Sequence, residues 1–318
     1  LIKYGGKNNL MTENIGNKTG RVTGVYGPRL EIQVGDDLIQ ARASGRLKYG
    51  DTGKSLVAVG DFVEISIKKG NLASIERILN RNKVISRPAI EKEGMVQIIV
   101  SNVDRMVVVT STANPDFKPG AVDRLLVVAF KEDIKPIVVI NKIDLAIPET
   151  FLEFTEAWRK IGCKILCTSA KAAEHIDELG ELLRHGTSVV VGHSGVGKSS
   201  LLNKLNPELK IKIGGVSDYT GKGKHTTSRV NLYKIFPDGW VADTPGLRDL
   251  GLVGVTRKNL HLYYPEFAPF ETRCQFTDCI HIEEPSCAVK GALDKGDPSI
   301  SKPRYQNYLN ISESLRKY

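Results

Sequence analysis

The octapeptide Gly192-His193-Ser194-Gly195-Val196-Gly197-Lys198-Ser199 fits the pattern G-x-x-x-x-G-K-[ST], and its flanks decide what can surround it. Before it stands the β-branched run Thr187-Ser188-Val189-Val190-Val191. After it, Ser200-Leu201-Leu202-Asn203-Lys204-Leu205 reads as a helix. A strand that enters a glycine-rich turn and leaves as a helix is the setting in which this pattern becomes a phosphate site. Glycines let the backbone turn tightly and aim N–H groups at phosphate oxygens, while the helix adds the positive end of its dipole. Residues Gly192 to Ser200 are therefore candidate nucleotide contacts. Lys198 is placed to neutralise the β/γ-phosphates and Ser199 to ligate Mg²⁺.

From about 84 to 255 the pattern alternates. Apolar strands (Met106 to Thr110, Ile137 to Ile140, Ile165 to Cys167, Val189 to Val191) are separated by helix-like segments (Ala121 to Phe130, Glu149 to Ile161, Ile176 to Leu183). Pro148 suits the start of the second helix. This alternation implies a mainly parallel sheet with helices on both faces. Asn141-Lys142-Ile143-Asp144, an N-K-x-D box, follows Ile137 to Ile140 and so falls at the carboxyl end of a strand, where open α/β sheets bind ligands. The Asp144 carboxylate can accept from both N1–H and the 2-amino group of guanine, an arrangement that adenine lacks. Thr168-Ser169-Ala170-Lys171, after the strand Lys164 to Cys167, resembles the usual companion of that box.

A third box, Asp243-Thr244-Pro245-Gly246, ends the apolar stretch Trp240-Val241-Ala242. Asp243 is a candidate to hold Mg²⁺ through water, and the Gly246 N–H to meet the γ-phosphate. Between this box and the phosphate loop lies Gly221-Lys222-Gly223-Lys224-His225-Thr226-Thr227-Ser228. It reads as a switch segment, ordered by GTP and released on hydrolysis, with Thr226 or Thr227 as the second Mg²⁺ ligand. A solvated basic loop has the same composition. Leu247 stands where Ras-like proteins carry the glutamine that positions water. His225 is the candidate for that task, and an ordinary polar loop residue is the competing reading. In Ras-like GTPases the phosphate loop comes first and the base boxes last. Here the order is reversed, so the nucleotide domain reads as circularly permuted, which is tolerable where domain termini lie close together.

Cys274, Cys279, His281 and Cys287 form a second constellation, Cys-x4-Cys-x-His-x5-Cys. Three thiolates and an imidazole suit tetrahedral Zn²⁺, and four protein ligands leave no open position, so the site reads as structural. Cys163 and Cys167 flank an apolar strand and read as core. That metal-like spacing, in a chain with no signal peptide, disfavours disulfides.

The remaining features are less specific. Residues 1–19 read as a disordered leader or a cloning remnant, set aside from the fold. Residues 20–83 read as a small β module. Leu30, Ile32 and Val34 alternate, Gly35-Asp36-Asp37 supplies a turn, and Val63, Ile65 and Ile67 alternate again. A five-stranded barrel suits this length, and the residues alone admit an OB or an SH3-like form. Arg42, Arg46, Lys48 and Tyr49 are its candidate nucleic-acid contacts, and a solvated basic segment explains them equally well. Residues 256–318 carry the cysteine cluster and end in a helix-like stretch after Pro303, where Tyr305, Tyr308, Leu309 and Leu315 read as a packing stripe. The net charge of +9 over 318 residues is compatible with an anionic partner, and no apolar run approaches the roughly eighteen residues of a membrane span.

Taken together, the motif order, Gly221-Lys222-Gly223-Lys224-His225-Thr226-Thr227, the Asp243 box and the Cys274/Cys279/His281/Cys287 finger resemble the circularly permuted, small-ribosomal-subunit-dependent GTPases, the RsgA/YjeQ family. Val59-Gly60-Asp61-Phe62-Val63-Glu64, Asn102-Val103-Asp104 and Asp123-Arg124-Leu125-Leu126 extend the likeness from about residue 20 to the end. Lysines at 222 and 224, where the family often has arginine, keep the charge without bidentate phosphate recognition. The resemblance implies an OB-fold at 20–83, a permuted P-loop GTPase domain at 84–255 and a zinc domain at 256–318. It also implies a cytoplasmic, monomeric GTPase with slow intrinsic turnover. Such a protein binds the small (30S) ribosomal subunit and its 16S rRNA during late maturation, is stimulated by it, and is released after hydrolysis.

Two other classes use the same residues. A nucleotide kinase or ATPase would share the phosphate loop, but the guanine box at Asp144 argues against it. An RNA-binding protein with a merely structural nucleotide would not need Lys198, Ser199 and Asp243 intact.

Overall fold

The computed structural model describes residues 18–44, 47, 57–67, 73–88, 96–211, 230–244 and 251–315. It opens with β1 (Lys18–Tyr26), β2 (Arg29–Val34), β3 (Asp37–Ala43), β4 (Phe62–Ile67) and β5 (Ala73–Ile78). Lys18 and Thr19, read from sequence with the leader, already belong to β1; residues 1–17 lie outside the described residues. Leu30 and Ile32 on β2 and Val63 and Ile65 on β4 point inward at every second position, burying one cluster with Val22 and Ile75. β1 pairs with β2 and β4, β2 with β3 and β4 with β5, all antiparallel; a parallel β3–β5 contact closes the ring. That closure is a Greek-key barrel of the OB type, which settles the choice that alternation alone left open.

Next come an antiparallel hairpin, β6 (Val84–Pro88) and β7 (Val96–Ser101), and then alternating elements. These are β8 (Arg105–Ser111), α1 (Pro119–Lys131), β9 (Lys135–Asn141), α2 (Phe151–Lys160), β10 (Lys164–Cys167), α3 (Ile176–Leu183), β11 (His185–Gly192), α4 (Lys198–Leu205), β12 (Asn231–Lys234) and β13 (Asp238–Asp243). The strands lie in the order β10-β9-β8-β11-β13-β12, parallel except for β12. Successive side chains divide between the two faces. Met106, Val108, Val138 and Val189 meet Leu126 of α1 and Trp158 of α2. Val107, Val109, Val139 and Val190 meet Leu179 of α3 and Leu201 of α4. Both faces are covered, so the strands are apolar throughout, as buried parallel strands are. β12 also pairs with β1 through Asn231 and Gly24, joining barrel and nucleotide sheet edge to edge.

The chain closes with α5 (Ala268–Glu271), α6 (Ala288–Asp294) and α7 (Lys302–Ser314). The Ser301 side chain accepts from the Arg304 N–H at 3.4 Å and Pro303 sits in the first turn, a favourable helix start. Tyr308 is fully buried, with Tyr305, Leu309 and Leu315 packed around the same cluster, so the aromatic stripe is packing. Buried Arg304 pairs with Asp123 of α1 and, at 2.7 Å, with Glu266; Asp123 also accepts from Trp158 Nε1 at 2.8 Å and Asn307 Nδ2 at 2.6 Å. These bonds fasten the C-terminal segment to α1 and α2.

Two other stretches behind the family resemblance are joints as well. Asp61, fully buried, accepts from Arg81, Ser101 and the Ala58 N–H, and Asp104 accepts from the Thr187 N–H at 2.7 Å. Pro148 does not begin α2. Its carbonyl accepts from the Phe151 N–H in a turn ahead of the helix. The β6–β7 hairpin was not separated from its surroundings by sequence pattern. All five cysteines are free. Arg42 is exposed on β3, while Arg46, Lys48 and Tyr49 lie outside the described residues. Among the described residues no helix is long and apolar enough to cross a membrane.

Candidate functional site

The phosphate loop leaves the end of β11 and enters α4 at Gly197. Gly192 has φ +142°, and a Cβ there would stand 2.1 Å from the Val109 carbonyl oxygen, so only glycine fits between β11 and β8. Val196 is buried beneath the loop, while His193, Ser194 and Gly195 are exposed. Lys198 Nζ donates to the carbonyls of Gly192 and His193 at 2.8 and 2.9 Å, which holds the ammonium over the loop. Ser199 and Ser200 follow in the first turn of α4, half-buried.

The base loop begins one strand away from β8, at the end of β9. Asn141 is buried; its Nδ2 donates to the Val196 carbonyl at 2.8 Å and its Oδ1 accepts from the Ala170 N–H at 3.0 Å. Thr168 Oγ1 adds a contact at 3.3 Å, and the Ile143 N–H donates to the Thr168 carbonyl at 3.2 Å. Lys142 Nζ reaches the carbonyls of Gly195, at 2.7 Å, and Asn114. Asn141 and Lys142 thus tie the base loop to the phosphate loop, and Asp144 is left facing the space between. Ser169 Oγ donates to Asp144 Oδ1 at 2.6 Å and accepts from the Ala172 N–H at 3.0 Å. That hydrogen bond holds the Asp144 carboxyl below its ordinary range and keeps it an acceptor. Asp144, Ala170, Gly197 and Ser200 line one cleft of about 740 Å³.

Asp243 ends β13, level with Val190 on β11, and is buried. Burial pushes its carboxyl up and the nearby Lys198 charge pulls it back, so the two residues share one electrostatic neighbourhood. Thr244 Oγ1 donates to the Val190 carbonyl at 2.8 Å and anchors the box. His225, Thr226, Thr227, Gly246 and Leu247 lie outside the described residues.

Sequence reading missed part of the cleft wall. Asn203, Lys204 and Pro207 also line it. Asn203 and Lys204 stand three and four residues beyond Ser200 on α4, the spacing that shares a helix face, and that signal was available. Thr112 carried none, yet its Oγ1 donates to the Lys142 carbonyl at 2.7 Å and supports the base loop from just beyond the end of β8.

The second site lies far along the chain. Ligand atoms of Cys274, Cys279, His281 and Cys287 all fall within 4.8 Å of one another, an arrangement able to hold a metal ion. His281 Nδ1 faces the three sulfurs at 3.6, 3.4 and 3.4 Å. Glu284 collects the N–H groups of Ile280, Ile282 and Glu283 around His281, while Tyr308 and Tyr305 of α7 donate to the Ile280 and His281 carbonyls. Burial pushes the Cys279 thiol up to about 12 and the His281 imidazole down to about 4. A bound cation reverses that preference at the thiols.

A sequence model of the RsgA GTPase family matches residues 78–253. A Chlorobaculum tepidum protein named small ribosomal subunit biogenesis GTPase RsgA is 38% identical over 309 residues, 93% of this chain and 98% of its own. A Bacillus cereus protein of the same name is 36% identical over 289 residues, 90% of this chain and 93% of its own. The crystal structure of YjeQ from Thermotoga maritima superposes with a TM-score of 0.74 at 30% identity, covering 95% of this chain and 100% of that one. YloQ, described as a circularly permuted GTPase, superposes with a TM-score of 0.73 at 27% identity, covering 96% and 97%.

Proposed function

The chain belongs to the RsgA GTPase family, and on that footing we propose that it hydrolyses GTP while docked on the maturing small (30S) ribosomal subunit and leaves after hydrolysis. The observation that carries this reading is the single cleft shared by a carboxylate fit to read guanine, Asp144, and a phosphate loop. Asn141, Lys142 and Ile143 hold the base loop, and Thr168, Ser169 and Ala170 complete it. Gly192 to Ser200 receive the phosphates, with Lys198 at the β/γ position. Ser199, Thr226 or Thr227, and Asp243 through water would hold Mg²⁺, which neutralises charge on the phosphates. The Gly246 N–H senses the γ-phosphate, and His225 orients the attacking water in place of the missing glutamine.

The metal at the cysteine cluster is zinc, in a structural role. Tetrahedral zinc with Zn–S of about 2.3 Å and Zn–N of about 2.0 Å separates a nitrogen from a sulfur ligand by roughly 3.5 Å. The His281 to cysteine spacings of 3.4 to 3.6 Å fit it.

The working division is an OB module at 20–83, a GTPase module at 84–255 and a zinc module at 256–318, all three contributing to docking on 16S rRNA. The stretch from Lys210 to Arg229 holds Lys212, Lys222 and Lys224 with Asp218 as its only acid, a composition suited to RNA phosphates. The protein acts as a cytoplasmic monomer. The test is co-sedimentation with purified small subunits across a salt series, in a non-hydrolysable GTP analogue and in GDP. Tighter binding with the analogue, weakening as salt rises, supports the switch; equal affinity in both nucleotides removes it.

A further inference from the structure

Asn231 and Asp243 stand directly opposite each other on the antiparallel β12–β13 pair. Side chains so paired leave the same face of the sheet, with Cβ atoms about 5 Å apart. Asn231 is also the residue through which β12 pairs with the barrel, opposite Gly24 of β1. Its Oδ1 accepts from the Tyr26 hydroxyl at 2.9 Å, and Tyr233 is the next residue on that face. Gly24 makes the reach possible. A Cβ there would stand 2.6 Å from the Tyr26 ring, so the ring can fold back across β1 toward Asn231 only over a glycine. One hydrogen bond therefore links the barrel to the immediate neighbour of Asp243.

We propose that Tyr26 and Asn231 are positioning residues for Asp243. Tyr26 fixes the amide of Asn231, Asn231 borders the Asp243 carboxylate, and the seating of the barrel thereby sets how well Asp243 engages Mg²⁺ during GTP hydrolysis. The inference rests on the magnesium role proposed above for Asp243. The barrel does not depend on Tyr26 for attachment. The Arg21 guanidinium lies between the rings of Phe62 and Trp240, 5.0 Å from each, and donates to Thr187 at the base of β11. Removing the Tyr26 hydroxyl should thus leave the modules joined.

The experiment titrates Mg²⁺ against GTP hydrolysis for the full chain, Tyr26→Phe, Asn231→Ala and Asp243→Asn. Melting temperature and affinity for fluorescent GDP in EDTA are measured alongside. Tyr26→Phe and Asn231→Ala are expected to raise the Mg²⁺ concentration for half-maximal hydrolysis at least about threefold. Saturating Mg²⁺ should restore the rate, with GDP affinity in EDTA unchanged. Asp243→Asn should raise the requirement further. If Asp243→Asn raises it and neither other variant does, the positioning role is overturned and the Asp243 reading stands. If Asp243→Asn leaves it unchanged, the Asp243 reading falls and the inference with it. A lowered melting temperature with an unaltered Mg²⁺ requirement reduces Tyr26 to packing and overturns the proposal.

Discussion

Asn141 at the end of β9 donates its amide to the carbonyl of Val196 in the phosphate loop, at 2.8 Å and across 55 residues. The same side chain accepts from Ala170, so one buried amide holds three segments in register. Asn141→Ala strands a buried carbonyl and a buried N–H, each worth about 1–3 kcal/mol. Affinity for every guanine nucleotide should fall by roughly ten- to a hundredfold, measured by fluorescent GDP binding, without a change in base preference.

Base preference should change at Asp144 instead. Asp144→Asn turns an acceptor into a group able to donate, so GTP affinity falls and xanthosine triphosphate, with its 2-oxo group, improves. Ser169 Oγ, now 2.6 Å from the carboxylate, can still bond the amide and hold it in place. Unchanged GTP binding in that variant would show that Asp144 does not read the base.

Purified protein should contain about one zinc per chain by elemental analysis, as a closed four-ligand site requires. Cys279→Ala should lose the metal and loosen α7, because Tyr305 and Tyr308 hold the carbonyls of the metal loop. Guanine affinity should survive. Carefully prepared native protein without zinc would sink the assignment.

Arg304→Met is expected to destabilise the fold by about 3–5 kcal/mol, since it leaves Asp123 and Glu266 buried without their cation. Chemical denaturation measures the loss. A change below about 1 kcal/mol would mean that solvent, not Arg304, compensates those carboxylates.

The boxes proposed to bind nucleotide stand out in the sequence because each is a local pattern with local chemistry, and residues of two of them, Asp144 and Gly197, line one cleft. Gly192 must be glycine at its turn, and Asp144 follows an apolar strand. The alternation of strands and helices from β8 to β13 was legible for the same reason. The joints were not. Asp123 and Arg304 lie 181 residues apart, and nothing near either residue names its partner. Asn141 reads as part of a base box, yet its side chain is spent on Val196 and Ala170, which only the folded sheet reveals. The barrel needed its parallel β3–β5 contact to be told from an SH3-like form.

The most direct measurement is multiple-turnover GTP hydrolysis with and without purified small ribosomal subunits, for the native chain and His225→Ala. The native chain should turn over slowly alone and accelerate at least about tenfold with subunits, equivalent to about 1.4 kcal/mol off the barrier. ATP should not substitute, and His225→Ala should lose most of the acceleration while keeping its nucleotide affinity. Full stimulation of His225→Ala would remove that residue from the mechanism. A native rate that is the same with and without subunits would contradict the proposed function itself.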